Sequence, residues 1–529
     1  MTHAPSSLKE RLSALSPAVL KSLRRGIEKE SLRVRPDGAL ALTPHPAVLG
    51  SALKHPHITT DFGEALIELI TGVHTGVDAC LDELKRIHQF VYRHIGDEVL
   101  WGASMPCSLP DENAIPIARY GDSNVGRAKT VYRMGLSHRY GRRMQMIAGL
   151  HYNFSLPETA WPLPGLPGPS EGYFALIRNF RRHAWLLMYL FGASPAVCAS
   201  FVEGRKHELR ELAPGTHYMP HATSLRMGRL GYLSEAQDSL LVSYNSLESY
   251  TASLYDALTQ PYPPYEAIGI RDGVRVTSDG VESYRQLATS LLQIENEFYS
   301  TIRPKRVIRP GERALHALRE RGVEYVEVRA MDLDPFAPIG ITASTVRFLD
   351  IFLLHCLLTE SPPDARREIE AIGRNKQRAA QRGREPGLRL ERGSGTVELR
   401  EWGAQVLAEC EPVAQALDST HRGGHEKNAY RDALAAAVTA VEDPAPVPSA
   451  RVLSEIQQSH GGSYARFALA RSLEHARTLR NEPLSSEVEA RFVRLAEESV
   501  RKQKEIEAAD KIPFETYRQK YLSHESLRV

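Results

Sequence analysis

Cysteine is scarce in this chain, and the five present, Cys80, Cys107, Cys198, Cys356 and Cys410, lie far apart with no Cys-x-x-Cys pair among them. That excludes a cysteine-ligated zinc module and a disulfide-dense scaffold, leaves an odd thiol over and fits a reducing cytoplasm. Long uncharged apolar runs are missing as well. The most apolar helical stretch, Val346 to Leu358, carries Arg347 and Asp350, so it reads as a buried core helix and no membrane partner is expected. The N-terminal Met-Thr-His-Ala-Pro-Ser-Ser-Leu-Lys-Glu has neither the basic start nor the apolar centre of a secretory signal. A dominant charge sign is also absent. The formal net charge is +2, which gives no electrostatic footprint for nucleic acid. The arginine-rich run from Arg366 to Arg392 lacks the interleaved aromatics that stack on bases, so it reads as a solvated face near a nucleotide at most. Function must come from local sites, in a chain expected to be a monomer.

What is present is ample core. With 529 residues, of which 42% are hydrophobic, the chain can hold several average domains or one large enzyme domain. Leucines between Leu8 and Leu23 keep a helical spacing interrupted near Pro17, and Val77 to Ile95 and Phe174 to Leu190 read as longer helices. Met144 to Pro157 alternates as a strand, with Gln145 and His151 on one face. Beyond Ser361 the pattern turns helical and charged, and Ser486-Glu-Val-Glu489 reads as a capping box. The expected division is an α+β catalytic core over 1–360 and a mostly helical part over 361–529, packed on the core as one integrated body.

The acids are placed unusually. In Gly26-Ile-Glu28-Lys-Glu30-Ser-Leu-Arg33-Val34 the two-residue period of a strand points Glu28 and Glu30 the same way. Two carboxylates in a dry site need a shared proton or a cation, although an exposed edge strand with solvated charges would show the same pattern. The stretch from Ile58 to Ile70 adds Asp61, Glu64 and Glu68, on a strand or on a helix. Val323 to Phe336 reads as a strand with Glu327 and Arg329 on one face, either a plain salt bridge or a metal ligand beside a phosphoryl-binding cation. Arg226 stands in a loop-like stretch. Gly121 to Ala128 copies the glycine spacing of a phosphate loop, but Arg127 and Ala128 replace the required lysine and Ser/Thr, so that reading is rejected. Oxygen-rich ligands with one imidazole suit Mg²⁺ or Mn²⁺ better than zinc. The residues alone stop at a magnesium-dependent enzyme.

Longer motifs go further. Arg25-Gly-Ile-Glu28-Lys-Glu30-Ser-Leu-Arg33, Ile58-Thr-Thr-Asp61-Phe62, Ser104-Met-Pro-Cys107, Gly149-Leu-His151-Tyr-Asn-Phe-Ser155, Tyr189-Leu-Phe-Gly-Ala-Ser-Pro195, Ala222-Thr-Ser-Leu-Arg226, Gln293-Ile-Glu-Asn-Glu297, Ile302-Arg-Pro-Lys-Arg306 and Glu324-Tyr-Val-Glu327-Val-Arg329 closely resemble the proteobacterial glutamate–cysteine ligase family, in order and in register. The resemblance implies a glutamine-synthetase-like curved antiparallel sheet, a funnel surrounded by helices. It implies that Glu28, Glu30, Glu68, His151 and Glu327, with Asp61 nearby, hold Mg²⁺ (or Mn²⁺), and that Arg329 acts with Glu327 on the transferring phosphoryl group. Phe62, Tyr132, Leu136, Gln145, Tyr232 and Tyr299 match the cysteine pocket, and Arg226 a substrate-carboxylate contact. The implied reaction takes ATP, L-glutamate and L-cysteine to γ-glutamylcysteine through a γ-glutamyl phosphate, the first step of glutathione biosynthesis, in the cytoplasm. The chain leaves no room for a second ligase module, which argues against a fused enzyme. Two other readings stay open: a ligase of the same fold using another amine, and a regulator binding nucleotide or RNA through the basic run.

Overall fold

An antiparallel sheet with one acidic face organises the computed structural model, which describes residues 8–231, 235–238, 240–276, 282–420 and 427–528. Its strands are β1 (Arg24–Val34), β2 (Ile58–Thr60), β3 (Leu66–Ile70), β4 (Val99–Leu100), β5 (Leu150–Ser155), β6 (Ile302–Lys305) and β7 (Tyr325–Met331). They run in the order β6-β7-β5-β1-β3-β2, with β4 pairing the end of β1. Directly opposed residues of an antiparallel pair share a face. The register sets Glu30 opposite Glu68, Glu28 opposite His151 and Glu327 opposite Asn153. One face therefore collects the acids. The other presents Ile27, Leu69, Tyr152 and Val328, all fully buried.

Behind that apolar face lies the Ala343–Leu358 helix, capped by Thr342, whose side chain accepts from Thr345 N. It packs on the Pro169–Phe191 and Ala429–Glu442 helices, and within it Asp350 is completely buried. A buried carboxylate must be paired to be tolerated. Arg25 Nη2 donates to it at 3.0 Å, Tyr152 Oη at 2.6 Å and Tyr430 Oη at 3.3 Å, so one acid ties β1, β5 and a C-terminal helix together. The main apolar cluster runs from Leu15 to Leu527. The last helices dock through polar clasps too: Ser51 N donates to Ser499 Oγ at 2.8 Å and Arg313 Nη1 to the Tyr521 carbonyl at 2.8 Å. No helix among the described residues is long and apolar enough to cross a membrane.

Four local readings change. The strand expected over 144–157 covers only Leu150–Ser155; Arg142–Gln145 is a short helix entered through Gly141 at φ +82°, so Gln145 reaches the site from a helical turn. The alternation of Met, Gln and small residues before Leu150 imitated a strand. The helix at Ser486–Ala509 is capped by Ser485, which accepts from Val488 N, rather than by Ser486. Of the two glycines, Gly121 precedes the Asn124–Tyr140 helix and Gly126 lies in its first turn, where Ser123 accepts from Gly126 N and a Cβ on Gly126 would come within 2.3 Å of the Tyr120 carbonyl. Gly126 is there for close packing. Finally, Cys107 and Cys198 are disulfide-bonded across 91 residues, leaving Cys80, Cys356 and Cys410 as buried thiols; sequence spacing carries no signal for such a pairing.

Candidate active site

The acidic face converges on His151. Its Nδ1 lies 3.2 Å from Glu28 Oε2 and 3.7 Å from Glu327 Oε1, and its Nε2 lies 3.8 Å from Glu30 Oε1. Two groups of potential ligand atoms result, Glu28–His151–Glu327 and Glu30–Glu68–His151, each with all its atoms within 4.8 Å of one another. Because strand side chains alternate and antiparallel registers align them, three central strands and β3 are enough to build both groups. Arg329 stands two residues beyond Glu327 on the same face and donates to Glu327 Oε1 at 3.0 Å, with His151 Nδ1 3.4 Å away.

The electrostatics split the two groups. Burial raises the Glu327 carboxyl, but Lys305, Arg329 and His151 outweigh it and hold the group well below the ordinary carboxylate range. Glu28 is likewise brought below that range by its hydrogen bond to His151 against the effect of burial. On the other side, burial and the charge of Asp61 push Glu30 up to about 8. Glu68 is raised well above its usual value by burial and by Glu28, Asp61 and Glu30. Burial and Arg329 keep His151 below the ordinary imidazole range, favouring the neutral ring that a metal requires. The donor set fits a hard divalent ion. His151 Nε2 is sealed from solvent without a hydrogen-bond partner, a costly state for a polar atom unless something binds it, while the buried Glu327 Oε2 faces the Lys305 ammonium at 3.4 Å.

The other expected residues fall into two sets. Gln145 Nε2 donates to Tyr299 Oη at 2.9 Å, and the Tyr299 ring meets Tyr140 edge-on. Tyr132 and Leu136 sit one turn apart on the Asn124–Tyr140 helix. Leu136 is buried and Phe62 completely so, both within the main apolar cluster. Arg226 is buried, 3.6 Å from Asp332 Oδ1 and donating to the Arg329 carbonyl at 3.1 Å. Asp61 lies outside both compact groups yet acts on Glu30 and Glu68 through its charge. Tyr232 lies outside the described residues. Glu64 leaves the cluster altogether: it accepts from His45 N at 2.5 Å and Arg119 N at 2.8 Å, clamping two loops.

Three site residues escaped the sequence reading. Asn153 Nδ2 donates to Glu28 Oε1 at 2.8 Å, and Lys305 Nζ lies 3.4 Å from Glu327 Oε2. Gly149 N donates to Glu30 Oε2 at 2.6 Å, and a Cβ there would stand 2.0 Å from Arg226 Nη2. Asn153 had a signal, being two residues beyond His151 on one strand face. Lys305 depended on which strand pairs with β7.

Comparison with solved structures places the fold. The chain superimposes with a TM-score of 0.87 and 36% identity on the crystal structure of the glutamate–cysteine ligase of Francisella tularensis in complex with AMP, covering 95% of this chain and 97% of that one. A bifunctional glutathione synthetase from Pasteurella multocida matches with a TM-score of 0.66 and 26% identity over 88% of this chain and 54% of its own. The fold is thus glutamine-synthetase-like, and with its acid-lined sheet it belongs to the class of ATP-dependent carboxylate–amine ligases. Curated glutamate–cysteine ligases are similar along their whole length, 46% identical in Alcanivorax borkumensis (98% of this chain, 99% of the relative) and 49% in Azotobacter vinelandii (96% of each). A family profile for glutamate-cysteine ligase spans residues 10–379. The chain belongs to the glutamate–cysteine ligase family.

Proposed function

We propose that the two acid groups around His151 hold the divalent ions of the family reaction, and that Arg329 grips the phosphoryl group in flight. The reaction joins the γ-carboxylate of L-glutamate to the amine of L-cysteine at the expense of ATP, giving γ-glutamylcysteine, ADP and phosphate. The observation that carries the proposal is the convergence of both acid groups on His151, whose Nε2 is buried without a hydrogen-bond partner, beside the Arg329 guanidinium.

Glutamate's carboxylate is a poor electrophile, and it must approach a terminal phosphate of like charge. Mg²⁺, held by Glu28, Glu30, Glu68, His151 and Glu327, supplies charge neutralisation when bound. The chain's own part is placement. Arg329 offers a planar fork to two phosphoryl oxygens. Its bond to Glu327 fixes that fork, and Lys305 adds a second cation on the same carboxylate. Asn153 orients Glu28. The amine then displaces phosphate from the γ-glutamyl phosphate, and a closed site keeps water from that acyl phosphate. Gln145 and Tyr299, hydrogen-bonded to each other, are assigned together with Tyr132 to the short thiol side chain.

Phosphate release and product formation with and without Mg²⁺ test this. Glu28→Gln and Glu327→Gln should fold normally yet lose most turnover, part of it recovered at high Mg²⁺ for the less central ligand. Full wild-type turnover without divalent ions would remove the metal role. Cysteine should be preferred over 2-aminobutyrate by a limited margin, since one small group in a pocket is worth roughly 1–3 kcal/mol; equal use of lysine or ethylamine would point to a ligase for another amine.

A further inference from the structure

The motif Gln293-Ile-Glu295-Asn-Glu297 has no part in the metal or phosphoryl chemistry above, yet the Glu297 carboxylate is completely buried. It sits on a single tight helical turn, Glu295–Glu297. Its two oxygens are satisfied within the chain. Oε1 accepts from Arg139 Nη1 and from Tyr140 Oη, both at 2.8 Å, and Oε2 accepts from Gln293 N at 2.8 Å and from Gln293 Nε2 at 3.1 Å. Arg139 is as deeply buried; it also donates to Gln286 Oε1 and to the Leu291 and Ala288 carbonyls, and lies 4.0 Å from the centre of the Tyr265 ring. Burial and the Glu297 carboxylate raise the Tyr140 phenol well above its usual range, so it stays a donor. Unlike the acids around His151, this one is completed by the protein itself.

Two arms run from it to the residues assigned to the amine. Gln293 Nε2 donates to the Tyr132 carbonyl at 3.3 Å, and Gln293 Oε1 accepts from Leu287 N at 2.8 Å. This amide lies so close to the Asn124–Tyr140 helix that a Cβ on Gly135 would come within 2.1 Å of Gln293 Oε1. Gln237 is the second arm. Its Nε2 donates to Tyr140 Oη at 3.1 Å and to the Glu297 carbonyl at 2.9 Å, while its Oε1 accepts from Tyr299 N at 2.9 Å. Tyr132 and Tyr299 belong to separate segments, and the backbones of both are tied to one buried hub. A buried polar network that is fully satisfied holds a single geometry.

We propose that Glu297, acting through Gln293 and Gln237, is a positioning residue that fixes the spacing between Tyr132 and Tyr299 and so limits the length of side chain the amine substrate can carry. This rests on the reading of Tyr132 and Tyr299 as part of the cysteine pocket. An amino acid one methylene longer than cysteine must push the two tyrosines apart, and the hub resists that movement without touching the substrate.

Glu297→Gln would strand the Arg139 guanidinium in the interior, so the test cuts the arms instead. Product formation by full-length wild type, Gln237→Leu, Gly135→Ala and Tyr132→Ala is measured with cysteine and with homocysteine, alongside melting temperature. One methylene in a pocket is worth about 10- to 200-fold in selectivity. Gln237→Leu and Gly135→Ala should each lower the preference for cysteine about 10-fold, with the KM for glutamate and ATP changed less than about 2-fold. Asp510→Ala controls for stability alone: Asp510 Oδ2 accepts from Asn124 N at the start of the same helix, about two turns before Tyr132, and its loss should lower the melting temperature with the preference unchanged. A preference that follows melting temperature through all the variants would overturn the proposal and leave the hub as scaffold. Wild-type preference in both arm variants, with Tyr132→Ala relaxed, would also overturn it while sparing the pocket reading. Wild-type preference in Tyr132→Ala as well would bring down the pocket reading and the proposal with it.

Discussion

The two faces of the central sheet treat buried charge in opposite ways. On the apolar face Arg25, Tyr152 and Tyr430 satisfy Asp350, and Lys29 Nζ meets Ser31 Oγ at 2.7 Å and His88 Nε2 at 3.0 Å. On the acidic face Glu28, Glu30, Glu68 and Glu327 crowd around one neutral imidazole, and the nearby cations, Arg329 and Lys305, both lean on Glu327. The first face is complete within the protein. The second leaves its acids crowded together, and on the proposed reading a bound cation would complete it, which is how a fold reserves binding energy for chemistry instead of stability. Substitutions on the two faces should accordingly show up in different measurements.

The largest effect is expected at Asp350. Asp350→Ala strands the Arg25 guanidinium in the core, and breaking a buried pair from one side costs about 3–5 kcal/mol. Denaturant melts should record that loss, with kcat per folded molecule near wild type; an equal fall in kcat at undiminished stability would contradict the division between faces. Arg329→Lys reverses the pattern. It keeps the charge but loses the fork, and turnover should fall about 10²-fold or more, mostly in kcat. If activity declines only as far as the folded fraction does, Arg329 is a structural ion pair and nothing more.

A smaller, pH-dependent effect marks a buried neutral group. His55 is buried, and its Nδ1 accepts from His57 N at 3.1 Å and Ile58 N at 2.9 Å. A proton there would face two N–H donors. Burial, with His57 and His45 nearby, lowers its pKa to about 4, against about 6.5 in an unfolded chain. Because the folded value is depressed, the stabilisation is full above about pH 6.5 and is lost as pH falls toward 4, by about 1–3 kcal/mol. His55→Asn keeps an acceptor and should flatten that part of the stability curve; an unchanged acid limb would assign it elsewhere. The smallest effect sharpens the contrast most. Glu68 is raised by burial and by like charges, so Glu68→Gln should raise the melting temperature of the metal-free protein at pH 8. A lower melting temperature would mean that the acids do not repel.

The same contrast explains what could be read from the sequence. Glu28 with Glu30, and Glu327 with Arg329, were legible because a two-residue period fixes their common face whatever the strands pair with. His151 followed from the same rule, and the family motifs joined the segments. Gln145 was assigned to the wrong element because a strand-like alternation continued through a helical turn. Lys305, the Cys107–Cys198 bond and the Asp350 network depend on which distant segments meet, and local periodicity is silent about that.

The strand order also has a consequence for how the chain is made. β7 lies between β5 and β6, and its Val326 and Val328 stand opposite Phe154 and Tyr152 of β5. When β5 has just been synthesised, residues 156 to 324 have still to be made, which takes about 8–34 s at about 5–20 residues per second. Throughout that interval one edge of β5 lacks its partner, a long-range pairing of the kind that closes slowly. Newly made chains should therefore depend on chaperones until Met331 has emerged. Nascent chains arrested before Tyr325 should be cut readily near β5 by a mild protease and those arrested well beyond Met331 should resist; equal protection at both lengths would show that another segment guards this edge in the meantime.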